Sequence, residues 1–190
     1  SAVAVIVPAR NEEKNISRCL ESVLQQDYPK EQLRIVAVND NSTDNTAKII
    51  GDLARSDNRL HMLEGGRLPE DWKGKPFACW QAVQDLALAE PANSLQWLCF
   101  IDADTTLRPQ MLRTAISAAE SRRIDMLSLE PFQILGLFWD RLIIPAGFFL
   151  AAFSQDLRRV NDPDCSDAFA NGQCILIRKQ VYSAVGGHAS

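Results

Sequence analysis

Asp102 and Asp104 stand one residue apart at the end of an apolar run, in LCFIDADT (98–105). Like charges repel and resist desolvation, so a strand leaving a core does not end on such a pair without a partner. Read as extended chain, residues i and i+2 face one side, which directs both carboxylates into one small volume. A hard divalent cation, Mg2+ or Mn2+, would turn that repulsion into attraction and share its remaining positions with phosphate oxygens. The ordinary alternative for a lone DxD is an acidic turn in solvent, with Asp104 capping the next helix.

Other charged residues fall at comparable places. AVNDNSTDNT (37–46) sets Asp40 at the end of a second apolar run. DWKGKPFACWQA (71–82) puts Lys73 and Lys75 in a glycine-broken loop that opens a helix. A lysine beside free backbone N–H groups suits a diphosphate, the role read here for Lys75, while Lys73 reads as solvated. NDPDCSDAF (161–169) offers Asp162, Asp164 and Asp167, which in such a setting serve loops and caps more often than catalysis. The common phosphate cradles are absent: VPARNEE (7–13) has no glycine, so no GxGxxG turn forms there, and no GxxxxGK[ST] occurs. Any nucleotide phosphate must be neutralised by a metal or a lysine instead.

The elements that would position these groups alternate along the chain. Residues 2–7, 33–38, 60–63, 97–101, 126–129 and 174–177 read as strands, mostly apolar throughout, as in a mostly parallel sheet covered on both faces. A first helix carries Ile16, Leu20, Val23 and Leu24 on one face. A second follows the capping residues Ser42, Thr43 and Asp44 and carries Ala47, Ile50, Leu53 and Ala54. A third begins near Pro76 and a fourth near Pro109, the latter with Leu112, Ala115, Ile116 and Ala119 inward. This order predicts one α/β domain over 1–190, whose ligands would sit at the carboxyl ends of the strands.

A hydrophobic content of 46% and a charged content of 23% over 190 residues are globular values. A net charge of -4 excludes nucleic acid as the main partner. Cys19, Cys79, Cys99, Cys165 and Cys174 are odd in number and form no CxxC. They read as free thiols in a reducing compartment rather than a disulfide framework or zinc site. ILGLFWDRLIIPAGFFLAAF (134–153) is apolar except for Asp140 and Arg141. Its uncharged part, 142–153, falls short of the ~20 residues that cross a bilayer. It reads either as a buried core helix or helix pair, or as an interfacial membrane segment with Trp139 near the headgroups. With no initiator Met and no signal peptide, the chain reads as an excerpt of a longer protein, truncated at its C-terminus.

VIVPARNEE, VNDNSTDNT, GKPFACWQA, FIDADT and NGQCILIRKQVYSAVGGH, in this order and approximate spacing, resemble a family 2 glycosyltransferase over essentially the whole chain. The likeness extends to membrane-associated bacterial members, such as those of hopanoid and carotenoid glycosylation. The resemblance implies a GT-A fold, a Rossmann-like, mostly parallel sheet flanked by helices. It implies that Pro8, Ala9, Arg10 and Glu12 surround the nucleoside and that Asp40 reads the base, usually the N3–H of uracil. Lys75 would near the donor phosphates. Asp102, Ala103 and Asp104 would form the metal-binding DxD, with Asp104 the direct ligand and Asp102 nearer the ribose. Asn171, Gly172 and Gln173 would lie near the acceptor or the donor sugar, where Trp72 forms an apolar wall unless it anchors at a surface.

The same resemblance implies a UDP-sugar donor, Mg2+ or Mn2+, transfer with inversion to a lipid or glycan acceptor, and peripheral contact with the cytoplasmic face of a membrane. Two departures stand out. Asn39 occupies the first position of a usual Asp-Asp, and the acidic catalytic base of the family is expected beyond Ser190. The fragment alone would therefore bind nucleotide weakly and transfer little or nothing. Rival readings are a non-catalytic nucleotide-binding module of the same fold, and a membrane-interaction domain built on 134–153. A dehydrogenase lacks its glycine fingerprint.

Overall fold

The computed structural model describes residues 1–190 apart from 90–93, 134–135, 137, 140, 142, 144, 148, 150–156, 161, 163–164, 166–169 and 190. Successive residues of its first strand, β1 (Val3–Ala9), enter two different apolar layers. Val3, Val5, Val7 and Ala9 pack on one face, Ala4 and Ile6 on the other. The period-2 alternation of side chains makes an unbroken apolar run the natural sequence for a strand covered on both sides.

Five further strands join it: β2 (Leu33–Asn39), β3 (Leu60–Glu64), β4 (Trp97–Ile101), β5 (Met126–Ser128) and β6 (Cys174–Arg178). The sheet runs β3-β2-β1-β4-β6-β5. β3, β2, β1 and β4 are mutually parallel, and β6 lies antiparallel between β4 and β5. The mostly parallel sheet expected from the sequence is present, with this one strand reversed. The outer strands β3 and β5 are only partly covered, so burial on both faces belongs to the central strands.

Helices α1 (Ile16–Leu24), α2 (Thr46–Ser56) and α4 (Met111–Ser121) cover the first layer. They contribute Ile16, Leu20, Val23, Ile50, Leu112 and Ile116. On the other face, α3 (Gly74–Ala89) contributes Ala78, Cys79, Ala82, Val83 and Leu86. α5 (Leu157–Val160) is a short turn, and α6 (Lys179–Ala184) adds the buried Tyr182.

Three helix starts differ from expectation by one or two residues. α3 begins at Gly74, which places Pro76 in the first turn, where no N–H partner is lost. Asn45, not the Ser42–Asp44 stretch, precedes α2, and Asp44 Oδ1 accepts the Thr46 N–H at 2.9 Å. α4 starts at Met111 because the Pro109 carbonyl is already bound to the Asp27 N–H at 2.7 Å.

Of 134–153, the described Phe138, Trp139, Ile143 and Phe149 are all exposed and take no part in the core. The rest of that expectation lies outside the described residues. Among the described residues, no helix is long and apolar enough to cross a membrane. All five cysteines are free, and Cys19, Cys79, Cys99 and Cys174 are buried.

Candidate functional site

The carboxyl ends of β1, β2 and β4 point the same way, so the loops that follow them meet at one edge of the sheet. The loops after β1 and β2 are latched to each other. Asn11 N–H donates to Ser42 Oγ at 3.1 Å, and Thr43 N–H donates to Asn11 Oδ1 at 2.8 Å. Glu12 N–H donates to Thr46 Oγ1 at 2.8 Å, and Asn45 Nδ2 donates to Glu13 Oε2 at 3.0 Å. Asn11 (φ 57°) and Asn41 (φ 54°) take the left-handed turns, a conformation asparagine tolerates better than most side chains. Side-chain latches give these loops the definition that a glycine cradle supplies elsewhere.

Asp40 is buried at the base of this edge. Its N–H donates to Ala9 O at 2.8 Å. Asn41 Nδ2 donates to its Oδ1 at 3.2 Å, and Arg10 Nη1 lies 4.0 Å from its Oδ2. Two glycines crowd it. A Cβ at residue 65 would stand 3.0 Å from Asn39 O and 3.1 Å from Asp40 Cα, and one at residue 74 would stand 3.1 Å from Asp40 Oδ2. Asn39 turns away, donating from Nδ2 to Glu64 Oε2 at 2.7 Å and accepting the Ser42 N–H at 3.3 Å. An aspartate at 39 would set its carboxylate against that of Glu64, a physical reason for the amide here.

Asp102 and Asp104 do not lie on extended chain. β4 ends at Ile101, and the Thr105 N–H closes a turn on Asp102 O at 3.0 Å. The turn rather than strand alternation brings both carboxylates to the cleft. Lys75 Nζ donates to Asp102 Oδ1 and, at 3.1 Å, to Gly172 O. Beneath the turn the Cys19 thiol donates to Asp102 O at 3.6 Å. Burial, reinforced by the charge of Asp104, pushes that thiol up to about 12, so it stays protonated. Asp104 is exposed, no described residue hydrogen-bonds its carboxylate, and it does not cap α4, whose N-cap is Gln110.

These groups enclose a cavity of about 400 Å³ lined by Pro8, Ala9, Arg10, Glu12, Asp40, Gly74, Lys75, Asp102, Ala103 and Asp104. All nine residues singled out for one site by the sequence thus meet in one cleft, with Gly74 added. A larger hollow of about 820 Å³ lies at the other end of the strands. Its guanidiniums are already engaged: Arg59 with Asp57, Arg55 with Asp52, and Arg34 with the Glu31 carbonyl.

The model of the family described as "Glycosyl transferase family 2" matches residues 4–186. This chain belongs to glycosyltransferase family 2. The 4,4'-diaponeurosporenoate glycosyltransferase of Staphylococcus aureus (strain USA300) is 30% identical over 196 residues, covering all of this chain and 47% of that protein. The chain thus spans about half the length of the curated relatives it matches. The S. aureus TarS 1-349 structure in complex with UDP-GlcNAc is 27% identical with a TM-score of 0.54, covering 72% of this chain and 36% of that one. The mannosyltransferase PcManGT of Pyrobaculum calidifontis, in complex with GDP-Man and Mn2+, is 20% identical with a TM-score of 0.68. It covers 97% of this chain and 46% of its own, and the likeness is one of GT-A fold.

In this family member no group of three His, Cys, Asp or Glu side chains gathers around a metal position among the described residues. Mg2+ is commonly held by only one or two carboxylates, with phosphate and water filling the other positions. The open carboxylate of Asp104 and the second oxygen of Asp102 fit a cation completed in that way.

The 171–173 loop lies against the cleft through Gly172 O and through Gln173 O, which accepts the Asp102 N–H at 3.1 Å. Trp72 does not line the cleft; it packs on Phe77 (ring centroids 5.3 Å) and Trp80 (5.5 Å) beside the start of α3. Asp162 is exposed, its carboxylate receiving the Cys165 thiol at 3.8 Å, while Asp164 and Asp167 lie outside the described residues. Sequence reasoning missed Glu64, Gly65 and Gly74. Their signal was the placing of glycines just after β3 and beside Lys75, which reads as chain-breaking until Asp40 is seen pressed between them.

Proposed function

We propose that this family 2 glycosyltransferase domain binds a UDP-sugar in the 400 Å³ cleft and transfers its sugar, with inversion, to a lipid or glycan acceptor. The observation that carries the reading is the division of one cleft into two chemistries. A buried carboxylate, Asp40, stands with the nucleoside-side residues Pro8, Ala9, Arg10 and Glu12, and a cation–carboxylate set, Lys75 with Asp102 and Asp104, completes the lining.

The Asp40 carboxylate lines the cleft and is an acceptor for the N3–H of a uracil base, with the Arg10 guanidinium 4.0 Å from its Oδ2. The solved complex of TarS with UDP-GlcNAc supports the same donor class.

At the other end, Lys75 exchanges its bond to Asp102 for the donor diphosphate as a charge-assisted contact. A divalent ion bound at Asp104 and Asp102, Mg2+ or Mn2+, would supply Lewis-acid stabilisation of the departing diphosphate. The Asp102 carboxylate, next to the turn, orients the ribose side of the donor. The exposed Phe138, Trp139, Ile143 and Phe149 support an apolar, membrane-held acceptor at the cytoplasmic face. No residue of 1–190 is assigned as the base.

Calorimetric titration of UDP and GDP, with and without Mn2+, tests the reading. UDP is expected to bind more tightly than GDP, and more tightly with Mn2+ than without, the metal increment vanishing in Asp104→Ala. Equal affinity with and without metal would sink the metal bridge, and a preference for GDP would sink the base assignment.

A further inference from the structure

Between β4 and α4 the chain from Asp102 to Gln110 is neither helix nor strand. Backbone N–H and C=O groups in such a stretch need partners from outside the regular ladders. Several of them find those partners on one polar stripe. Cys19 and Ser22 lie on α1, and Gln26 lies just past its end in a turn closed by its own N–H on Val23 O at 3.2 Å. Their helical spacing turns all three to one side. The Cys19 thiol donates to Asp102 O at 3.6 Å. Ser22 Oγ accepts the Leu107 N–H at 3.0 Å and donates to Cys19 O at 2.7 Å. The buried Gln26 donates from Nε2 to Arg108 O at 2.8 Å and to Ser22 O at 3.1 Å. Its Oε1 accepts the Leu112 N–H at 3.1 Å, at the start of α4.

Every polar hydrogen on the Ser22 and Gln26 side chains is thus donated to a backbone carbonyl. The segment these bonds hold carries Asp104. That aspartate is exposed between the buried Ala103 and Thr105, and no described residue hydrogen-bonds its carboxylate. Where it points is therefore set by its backbone, which is pinned before it at Asp102 and after it at Leu107. The start of α1 is fastened to the nucleoside side of the cleft, since the Asn15 and Ile16 N–H groups both donate to Glu12 O at 2.9 Å. One helix holds Glu12 and the Asp102–Asp104 turn at a set separation.

We propose that Ser22 and Gln26 are positioning residues for the metal contact. By pinning Leu107 and Arg108 to the α1 face, they hold the Asp104 carboxylate where a cation on the donor diphosphate can reach it. Neither residue lines the cleft, so both act through the backbone. The inference rests on the metal reading of the cleft and deepens it, by naming what fixes the open ligand.

The test uses the full-length protein and its Ser22→Ala, Ser22→Thr and Gln26→Glu variants. UDP is titrated with and without Mn2+, and backbone hydrogen exchange is followed with neither present. Ser22→Ala should cut the metal increment about tenfold and leave metal-free UDP affinity unchanged. It should also speed exchange over 102–110. Ser22→Thr keeps the hydroxyl and should restore both readouts. Gln26→Glu keeps the acceptor for Leu112 but, as a carboxylate, cannot donate to Arg108, so the increment should fall likewise. If the buried Gln26→Glu fails to fold, Ser22→Ala carries the test, because alanine is favourable inside a helix. A merely structural role would weaken UDP equally with and without metal, and that result would overturn the proposal. A normal increment in the variants would overturn it too, while leaving the metal reading intact. A wild type whose UDP affinity ignores Mn2+ defeats the metal reading, and the positioning role with it.

Discussion

Lys75 Nζ bonds one carboxylate oxygen of Asp102, 27 residues away in sequence, while Asp104, two residues further on, has no hydrogen-bond partner among the described residues. One aspartate of the pair is thus neutralised by the protein itself and the other is left open. The repulsion inherent in a DxD is relieved without any ion, because the lysine supplies a counter-charge to one of the two carboxylates.

Lys75→Ala removes that counter-charge. Both carboxylates then face each other unpaired, so the protein without nucleotide should bind Mn2+ more tightly than the wild type. UDP affinity should fall about tenfold, from the loss of one charge-assisted contact. The fold should shift little, because the lysine side chain is 49% exposed and such pairs contribute weakly. Calorimetry with Mn2+ alone and with UDP separates the two effects, and parallel losses in both would contradict the counter-charge role.

Gly74→Ala should divide binding from stability. The residue opens α3, where alanine is at least as favourable as glycine, so the melting temperature should hold or rise slightly. Its new Cβ would stand 3.1 Å from Asp40 Oδ2 and displace that carboxylate. UDP affinity should therefore drop several-fold in a normally folded protein. Unchanged affinity would mean that Asp40 does not meet the base.

Gly187→Ala should be costly for a different reason. Gly187 has φ +61°, and a Cβ there would lie 2.5 Å from the Tyr182 ring. Strain and overlap together should remove about 1–3 kcal/mol, read from urea unfolding. Gly147→Ala, where a Cβ meets no atom of the described residues within 4 Å, is the control and should be neutral or slightly stabilising.

Acid should weaken the turn before β3. Arg59 hydrogen-bonds Asp57 through Nε at 2.9 Å and Nη2 at 2.7 Å, and holds its carboxyl down to about 2 from an ordinary 3.8. A depressed folded value means the unfolded chain binds the proton first. The contribution is then complete above about pH 4 and is lost as pH falls from there toward 2. It should amount to about 1–2 kcal/mol for a carboxylate 25% exposed. Urea midpoints at pH 7 and pH 2.5 should converge more in Asp57→Asn than in the wild type; an identical acid loss in both would remove Asp57 from the account.

Much of the fold was legible because its strands are short and the central ones are apolar on both faces. The four longer helices also carry buried positions at helical spacing, as Leu112, Ala115, Ile116 and Ala119 do on α4. The cleft was legible because charged residues at the ends of apolar runs have few structural uses, and Asp40 and Asp102 are such residues. The reversed β6 was not, since an apolar strand reads the same in either direction. Neither was the turn at Asp102, which depends on one N–H from Thr105. The apolar 134–153 stretch left two readings, because periodicity does not separate a core helix from an interfacial one.

The sequence by itself determined the layered α/β architecture and which carboxylates and lysine stand at the ends of strands, because hydrophobic period and charge placement are local properties of the chain. Only the tertiary structure decided who meets whom. Lys75 reaches Asp102 and Gly172, Asn39 turns to Glu64, and Gly65 and Gly74 close on Asp40. Those contacts join segments tens of residues apart, and strand order in the sheet, not spacing along the chain, sets the distances between them.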